Sequence, residues 1–232
     1  MASRSASRLG ATCAIAGSVL LFIGTYLHPM EADPNQAIAA FAEYAADRLW
    51  VASHLTQLAG VALILAALLL LAQQLRAGSA AAWAVVAAGA ATVSLAVAVA
   101  LQAVDGIALK LMVDAWAAAP ATQKEGLFHA AFAVRQIEVG LASMTSLSMG
   151  LTAILYGVAL LVDRTHPKWL GGLAMIGGVP MMIAGVVIAH TGFSGLAMAI
   201  NMPANALLLA WMLILGACMW RRGGARPEET AA

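Results

Sequence analysis

The chain has 232 residues, 62% of them hydrophobic and only 10% charged, with a mean hydropathy of +0.88. A soluble globular domain does not carry that apolar excess, so the composition points to membrane-spanning helices with the lipid bilayer as the first partner. The formal net charge of +1, without any basic run, gives no ground for a nucleic-acid partner.

In chain order, Arg4 and Arg8 precede a long apolar run that no A-x-A cleavage site follows, which predicts an uncleaved first span over about 9–28, closed by His28-Pro29. Asp33, Pro34 and Gln36 carry an N-cap pattern: acceptor, proline, and an amide three residues on. They predict a short amphipathic helix over 34–46 in the first outer loop, with Ile38, Phe41 and Ala45 on one face. The second span, about 50–75, opens on Trp50, read as a membrane-interface aromatic, and carries Ser53, His54, Thr56 and Gln57 in its first turns. Its VALILAALLLLA stretch reads as lipid-facing. The third span, about 81–104, is rich in small residues that favour close helix packing, and it leads to Gln102 and Asp105.

The fourth span, about 131–162, follows a loop APATQKEGLFH and is unlike the others. Glu138, Thr145 and Thr152 are spaced by seven, with Arg135 a turn before and Tyr156 a turn after, so charge and hydroxyl share one helix face. An ionisable group near the bilayer core costs at least ~2.5 kcal/mol, which turns that face inward and this helix toward the middle of the bundle. The hydroxyls either continue a polar path or bond back to their own helix. The fifth span, about 169–191, contains Pro180 and ends at His190; the sixth, about 203–220, starts at Pro203 after a linker. Residues 223–232 read as a disordered tail, so 1–222 form one transmembrane domain.

Six spans place both termini on one side. Arg4, Arg8, Arg76, Arg164, Lys168, Arg221, Arg222 and Arg226 fall there, against Arg48, Lys110, Lys124 and Arg135 on the other. The positive-inside rule then predicts an N-in/C-in, all-α, six-helix bundle in the cell's cytoplasmic (inner) membrane. Cys13 and Cys218 lie on the inner side and read as buried thiols, not as a disulfide.

That orientation brings His28, His54, Gln57, Gln102, Asp105, Arg135, Glu138 and His190 to the outer boundary, although they are scattered along the chain. His54, Asp105 and Glu138 are expected around an outward-opening cavity, with His28 and His190 at its rim. Such a pocket would bind a small ligand, an ion or a lipid headgroup, with transport as one use. Histidine and carboxylate also ligate metals, and imidazoles hold haem iron. A metal- or haem-binding redox protein, with His28, His54, His190 and Glu138 as ligands, is therefore the alternative. A third reading is a scaffold for membrane partners or further copies of the chain. Arg135 and Glu138 also suit a simple ion pair. No GxSxG, Walker or Rossmann motif supports an enzyme.

HPKWLGGLAMIGG, opening the fifth span, and PANALLLAWMLILGACMWRR, near the end of the chain, resemble bacterial six-helix integral membrane proteins grouped as domains of unknown function. The resemblance implies a multi-pass protein of the cytoplasmic membrane. It implies no activity and no functional residues.

Overall fold

The computed structural model describes residues 4–76 and 78–224, and every regular element among them is helical. The helices are α1 (Arg4–Tyr26), α2 (Ala37–Ala46), α3 (Trp50–Gln74), α4 (Ala81–Gln102), α5 (Lys110–Ala118), α6 (Ala121–Val162), α7 (Lys168–Thr191) and α8 (Gly195–Gly224). A π-helical segment, Ala103–Leu109, joins α4 and α5 into one continuous rod. Among the described residues six rods are long and apolar enough to cross a membrane, as in a multi-pass membrane protein.

The rods close into a ring in chain order. Helix α1 packs on α3, α3 on α4, α4 on α6, α6 on α7, α7 on α8, and α8 back on α1. Close approach at glycines sets two of these contacts. A Cβ on Gly17 of α1 would stand 2.8 Å from the Gly60 carbonyl oxygen of α3, and one on Gly24 would stand 2.7 Å from that of Ser53. Helices α6 and α7 repeat the arrangement, with Gly178 against the Gly150 carbonyl at 2.8 Å and Gly185 against that of Ser143 at 2.9 Å. Without side chains between them, the backbones reach the separation at which dispersion and cross-helix bonds hold membrane helices together.

Three hydroxyls of α6 reach its neighbours, whereas Ser148 donates back to the Thr145 carbonyl at 3.2 Å and Thr145 Oγ1 is buried without a hydrogen bond. Ser143 donates to the Gly185 carbonyl at 2.8 Å, Tyr156 donates to the Leu68 carbonyl of α3 at 2.7 Å, and Thr152 lies 2.9 Å from Ser94 of α4. The tyrosine bond crosses the ring. It also shows why VALILAALLLLA does not face lipid as a whole: Ile64, Leu65, Ala67, Leu68, Leu71 and Ala72 are buried in the core with Leu160, Trp211 and Leu215. Cys13 and Cys218 are free and only half-buried, packed on that core.

Several element boundaries differ from the sequence reading. Helix α6 has 42 residues, because Pro120 ends the preceding turn in extended conformation and the expected loop after it is already helical. At 1.5 Å per residue the rod is about 63 Å long, roughly twice a bilayer's hydrocarbon thickness. Its first half extends past α7 and packs on α5, with Phe41 of α2 against Phe128 at 5.7 Å. Helix α8 begins at Gly195, where Ser194 Oγ accepts from the Ala197 N–H at 3.3 Å, and it runs on through Pro203 with the Asn205 amide bonded to the Asn201 carbonyl at 3.0 Å. Gly223 and Gly224 are still helical, and the rest of the expected tail, 225–232, lies outside the described residues. Asp33 does not cap α2. Its side chain accepts from Asn35 N–H at 2.9 Å and its carbonyl from Gln36 N–H at 2.9 Å, a turn that delays α2 to Ala37. The buried face of α2 is Ala40, Phe41 and Tyr44, and Ile38 is exposed.

If the glycine contacts set the ring, then Gly17→Ala and Gly178→Ala should each lower thermal stability in detergent by about 1–3 kcal/mol through overpacking. Gly89→Ala and Gly140→Ala, whose Cβ atoms would meet nothing within 4 Å, should be neutral or stabilise by up to about 1 kcal/mol. Equal losses at all four positions would show that close approach is not the constraint.

Candidate functional site: a buried histidine and carboxylate cluster

Trp50 organises the polar end of the bundle. It is fully buried, so its ring packs within the bundle and is not turned outward as that of a belt aromatic would be. Its ring centroid lies 4.3 Å from that of Tyr44, 4.6 Å from His54 and 4.9 Å from His28, and its indole N–H donates to the Asp105 carbonyl at 3.0 Å. One side chain thereby joins α2, α3, the loop after α1 and the π segment.

The histidines are held through one nitrogen each. His54 Nδ1 donates to the Trp50 carbonyl one turn earlier at 2.7 Å, and His28 Nδ1 donates to the Pro29 carbonyl at 2.7 Å. The two rings lie 5.0 Å apart at an angle of 57°. Burial pushes the His28 imidazole below its usual range. Burial pushes the Tyr44 phenol up to about 12.

Asp105 enters from the π segment. Its Oδ2 stands 3.1 Å from His54 Nε2, yet His54 Nε2 and Asp105 Oδ1 are both buried without a hydrogen bond. Gly106 permits this approach, since a Cβ there would meet the His54 Cβ at 2.6 Å. His28, His54 and Asp105 each offer one ligand atom, and those atoms lie within 4.8 Å of one another.

Arg135 and Glu138 form a buried ion pair on α6, and Asp105 interacts electrostatically with both. The guanidinium also donates to the Pro34 carbonyl at 3.2 Å and lies 5.0 Å from the centre of the Phe193 ring and 5.6 Å from that of Tyr44. These contacts hold the loop before α2 and the turn before α8 over the cluster. Asn35 adds a bond to the Phe193 carbonyl at 2.9 Å, and Glu43 accepts from the N–H groups of Glu31 and Ala32 at 2.9 Å each.

Gln57 and Gln102 join the same end as braces, with Gln102 donating to Gln57 at 3.2 Å and Gln57 donating to the Gly24 carbonyl at 3.2 Å. Two expected ligands fall outside the three-residue group. His190 is exposed in the last turn of α7, because Ile188 and Gly185 take the face toward α6 and α8 and leave 190 outside. Glu138 is occupied by Arg135, and Asp105 supplies the carboxylate instead. His54, Arg135 and Glu138 are buried, His28 and Asp105 are half-buried, and the loop before α2 lies over them. The haem alternative also meets an obstacle: imidazole rings 5.0 Å apart leave no gap for a porphyrin between them.

Sequence reasoning missed Tyr44, the inward role of Trp50, and Gly106. Only Trp50 left a signal, since it stands four residues before His54 and shares its helix face.

A second polar cluster lies at the opposite end, in the turn from α6 to α7. Asp163 Oδ2 accepts from His166 Nδ1 at 2.6 Å, from the His166 N–H at 2.8 Å, and from the Thr165 N–H and hydroxyl at 3.0 and 2.8 Å. Lys168 donates to the Asp163 carbonyl, and Arg222 of α8 to that of Thr165. Burial alone would raise the Asp163 carboxyl, but the bonds from His166 and Thr165 outweigh it and hold the group at about 2. Burial, with Arg222 adding to it, lowers the His166 imidazole despite Asp163.

No family model, curated protein or solved structure matches the chain, so the site is read from its own geometry.

Two outcomes test these clusters. Replacing Arg135 or Glu138 singly by leucine should destabilise by about 3–5 kcal/mol, because each leaves an uncompensated buried charge, whereas the double variant should recover most of that loss. A double variant no better than the worse single one would show that the pair is not an independent unit. At the other end, Asp163 and His166 both bind more protons when unfolded, so acidification weakens the fold. The His166 contribution is complete above its ordinary value of 6.5 and fades below it, and that of Asp163 is lost between its ordinary 3.8 and about 2. The stability deficit of Asp163→Asn, measured by thermal melts, should therefore shrink below about pH 4. A deficit that does not change below that pH would contradict the assignment.

Proposed function

We propose that the protein is an N-in/C-in protein of the cytoplasmic membrane that binds a small cation from the outer side. The single observation behind this reading is the charge balance of the cluster. Asp105 and Glu138 are two buried or half-buried carboxylates facing one fixed cation, Arg135, and the free nitrogen of His54 meets Asp105 without a hydrogen bond. An excess negative charge in apolar surroundings is unstable until a positive group neutralises it. Among the ligands that a polar outer pocket admits, a cation answers that need, and an anionic lipid headgroup does not. Access requires the loop before α2 to move, and that loop is held by polar contacts, not by core packing. Binding, with transport as one use of it, is the activity; no step of covalent chemistry is part of the reading.

The test is thermal stability of the full chain in detergent across a panel of alkali, alkaline-earth and transition-metal ions and tetramethylammonium. A bound cation at about 100 times its Kd should stabilise by ~2.7 kcal/mol, and Asp105→Asn should remove the response. A melting temperature indifferent to every cation would sink the reading. Orientation is tested separately in a Cys13→Ser, Cys218→Ser background, where Asn35→Cys should react with an impermeant thiol reagent in intact cells and Ser79→Cys should not.

A further inference from the structure

We propose that His28, His54 and Asp105 form a binding site for one divalent first-row transition-metal ion of the zinc or ferrous class, ligated by the two imidazole Nε2 atoms and the Asp105 carboxylate. The inference rests on the cation-binding reading above and names the ion class that the same residues select.

The tautomers come first. Both Nδ1 atoms point at backbone carbonyls, which accept and never donate, so both carry the proton. A neutral ring with its proton on Nδ1 presents a bare lone pair on Nε2. Fixing one ring nitrogen by a backbone carbonyl so that the other can bind is the outer-shell arrangement of metal-ligating histidines. Two imidazoles in one small cluster share it here.

The spacing agrees. His54 Nε2 and Asp105 Oδ2 lie 3.1 Å apart without being aligned as a hydrogen bond. With the His54 ring neutral, both atoms are acceptors, and two acceptors at that distance repel unless a positive group lies between or beside them. Adjacent ligand atoms at about 2.0–2.2 Å from a zinc-class ion are about 2.8–3.6 Å from each other across octahedral and tetrahedral geometries. The three ligand atoms together, all within 4.8 Å, need only a small contraction, and His28 can supply it because it follows the end of α1.

The donor set narrows the ion. Two nitrogens and a carboxylate suit zinc and ferrous iron, calcium and magnesium take oxygen ligands, and cuprous copper takes thiolate or thioether. Three protein ligands leave coordination positions for water or for an incoming group. The surroundings are built for a fixed geometry: Trp50 holds the Asp105 backbone from one side, and Gly106 lets the π segment close on His54. π-Helical turns of this kind recur at functional sites. The competing occupant is a proton on His54, which would make the contact a histidine–aspartate ion pair.

The experiment uses the purified full chain in detergent, stripped with a chelator and reloaded with Zn(II) or Co(II). Elemental analysis after gel filtration should find one zinc per chain, and Co(II) should give visible ligand-field bands that zinc displaces. His28→Gln, His54→Gln and Asp105→Asn should each weaken zinc binding by more than the about 10- to 100-fold that loss of an outer-shell partner costs. His190→Ala and His129→Ala, at exposed positions, should bind as the wild type does. Helix content by circular dichroism controls for folding, and His28→Gln, which lies outside every helix, carries the test if the other variants misfold. Failure of the wild type to hold zinc against a weak chelator, or undiminished binding by the three variants, overturns the metal site. If sodium or tetramethylammonium then stabilises the wild type through Asp105, the cation-binding reading survives without the metal. If no cation does so, both fall, and the proton is the occupant.

Discussion

A carboxylate cannot remain unneutralised inside an apolar bundle, and the polar end of this molecule is arranged around that cost. Desolvation of a charge amounts to several kcal/mol even after relaxation. Each acidic side chain there has a different answer to it. Glu138 takes Arg135 from one turn away on its own helix. Asp105 faces only the His54 imidazole across a helix contact, so its charge is balanced when a proton on His54 or a bound cation stands beside it. Arg135, stabilised by Glu138, also reaches the Pro34 carbonyl and lies against Tyr44 and Phe193. The loops over the cluster are thus ordered by the same charges that the bundle has to neutralise.

That end depends in turn on the spacing of the rods. Where glycine faces glycine, as at Gly17 and Gly60 or Gly150 and Gly178, backbone meets backbone and the rotation of each helix is fixed. Ser143 and Tyr156 then complete cross-helix bonds that no flexible arrangement would hold. Rotation of α3 on α1 decides where His54 points. Placement of the π segment against α3, made possible by Gly106, decides where Asp105 points. The geometry of three potential ligands is thus largely a consequence of helix packing.

The structure departs from the sequence reading in a consistent way. Periodicity along α6 correctly marked Arg135, Glu138, Thr152 and Tyr156 as one buried face. It could not distinguish a hydroxyl that bonds to its own helix from one that reaches α3 or α4. The leucine-rich part of α3 has no polar face, and nothing in its pattern separates lipid from a neighbouring helix, since both are apolar. Trp50 was misread for a related reason: an aromatic at a helix start is equally compatible with an interface and with burial. Boundaries moved where a proline or a cap acted against its usual role, at Asp33, Pro120 and Pro203.

By itself the sequence determined that long apolar helices would form, which residues on α6 share a face, and that His28, His54, Gln57, Gln102 and Asp105 fall near the ends of apolar runs. Those follow from composition and from the 3.6-residue period, which act within one segment. Only the tertiary structure decided that Asp105 and not Glu138 meets the histidines, that His190 stays outside, and that Trp50 is the hub. Contacts between segments depend on the depth and rotation of each helix relative to its neighbours, and these are set by the close approach of backbones at particular glycines. A one-dimensional pattern holds no record of that rotation.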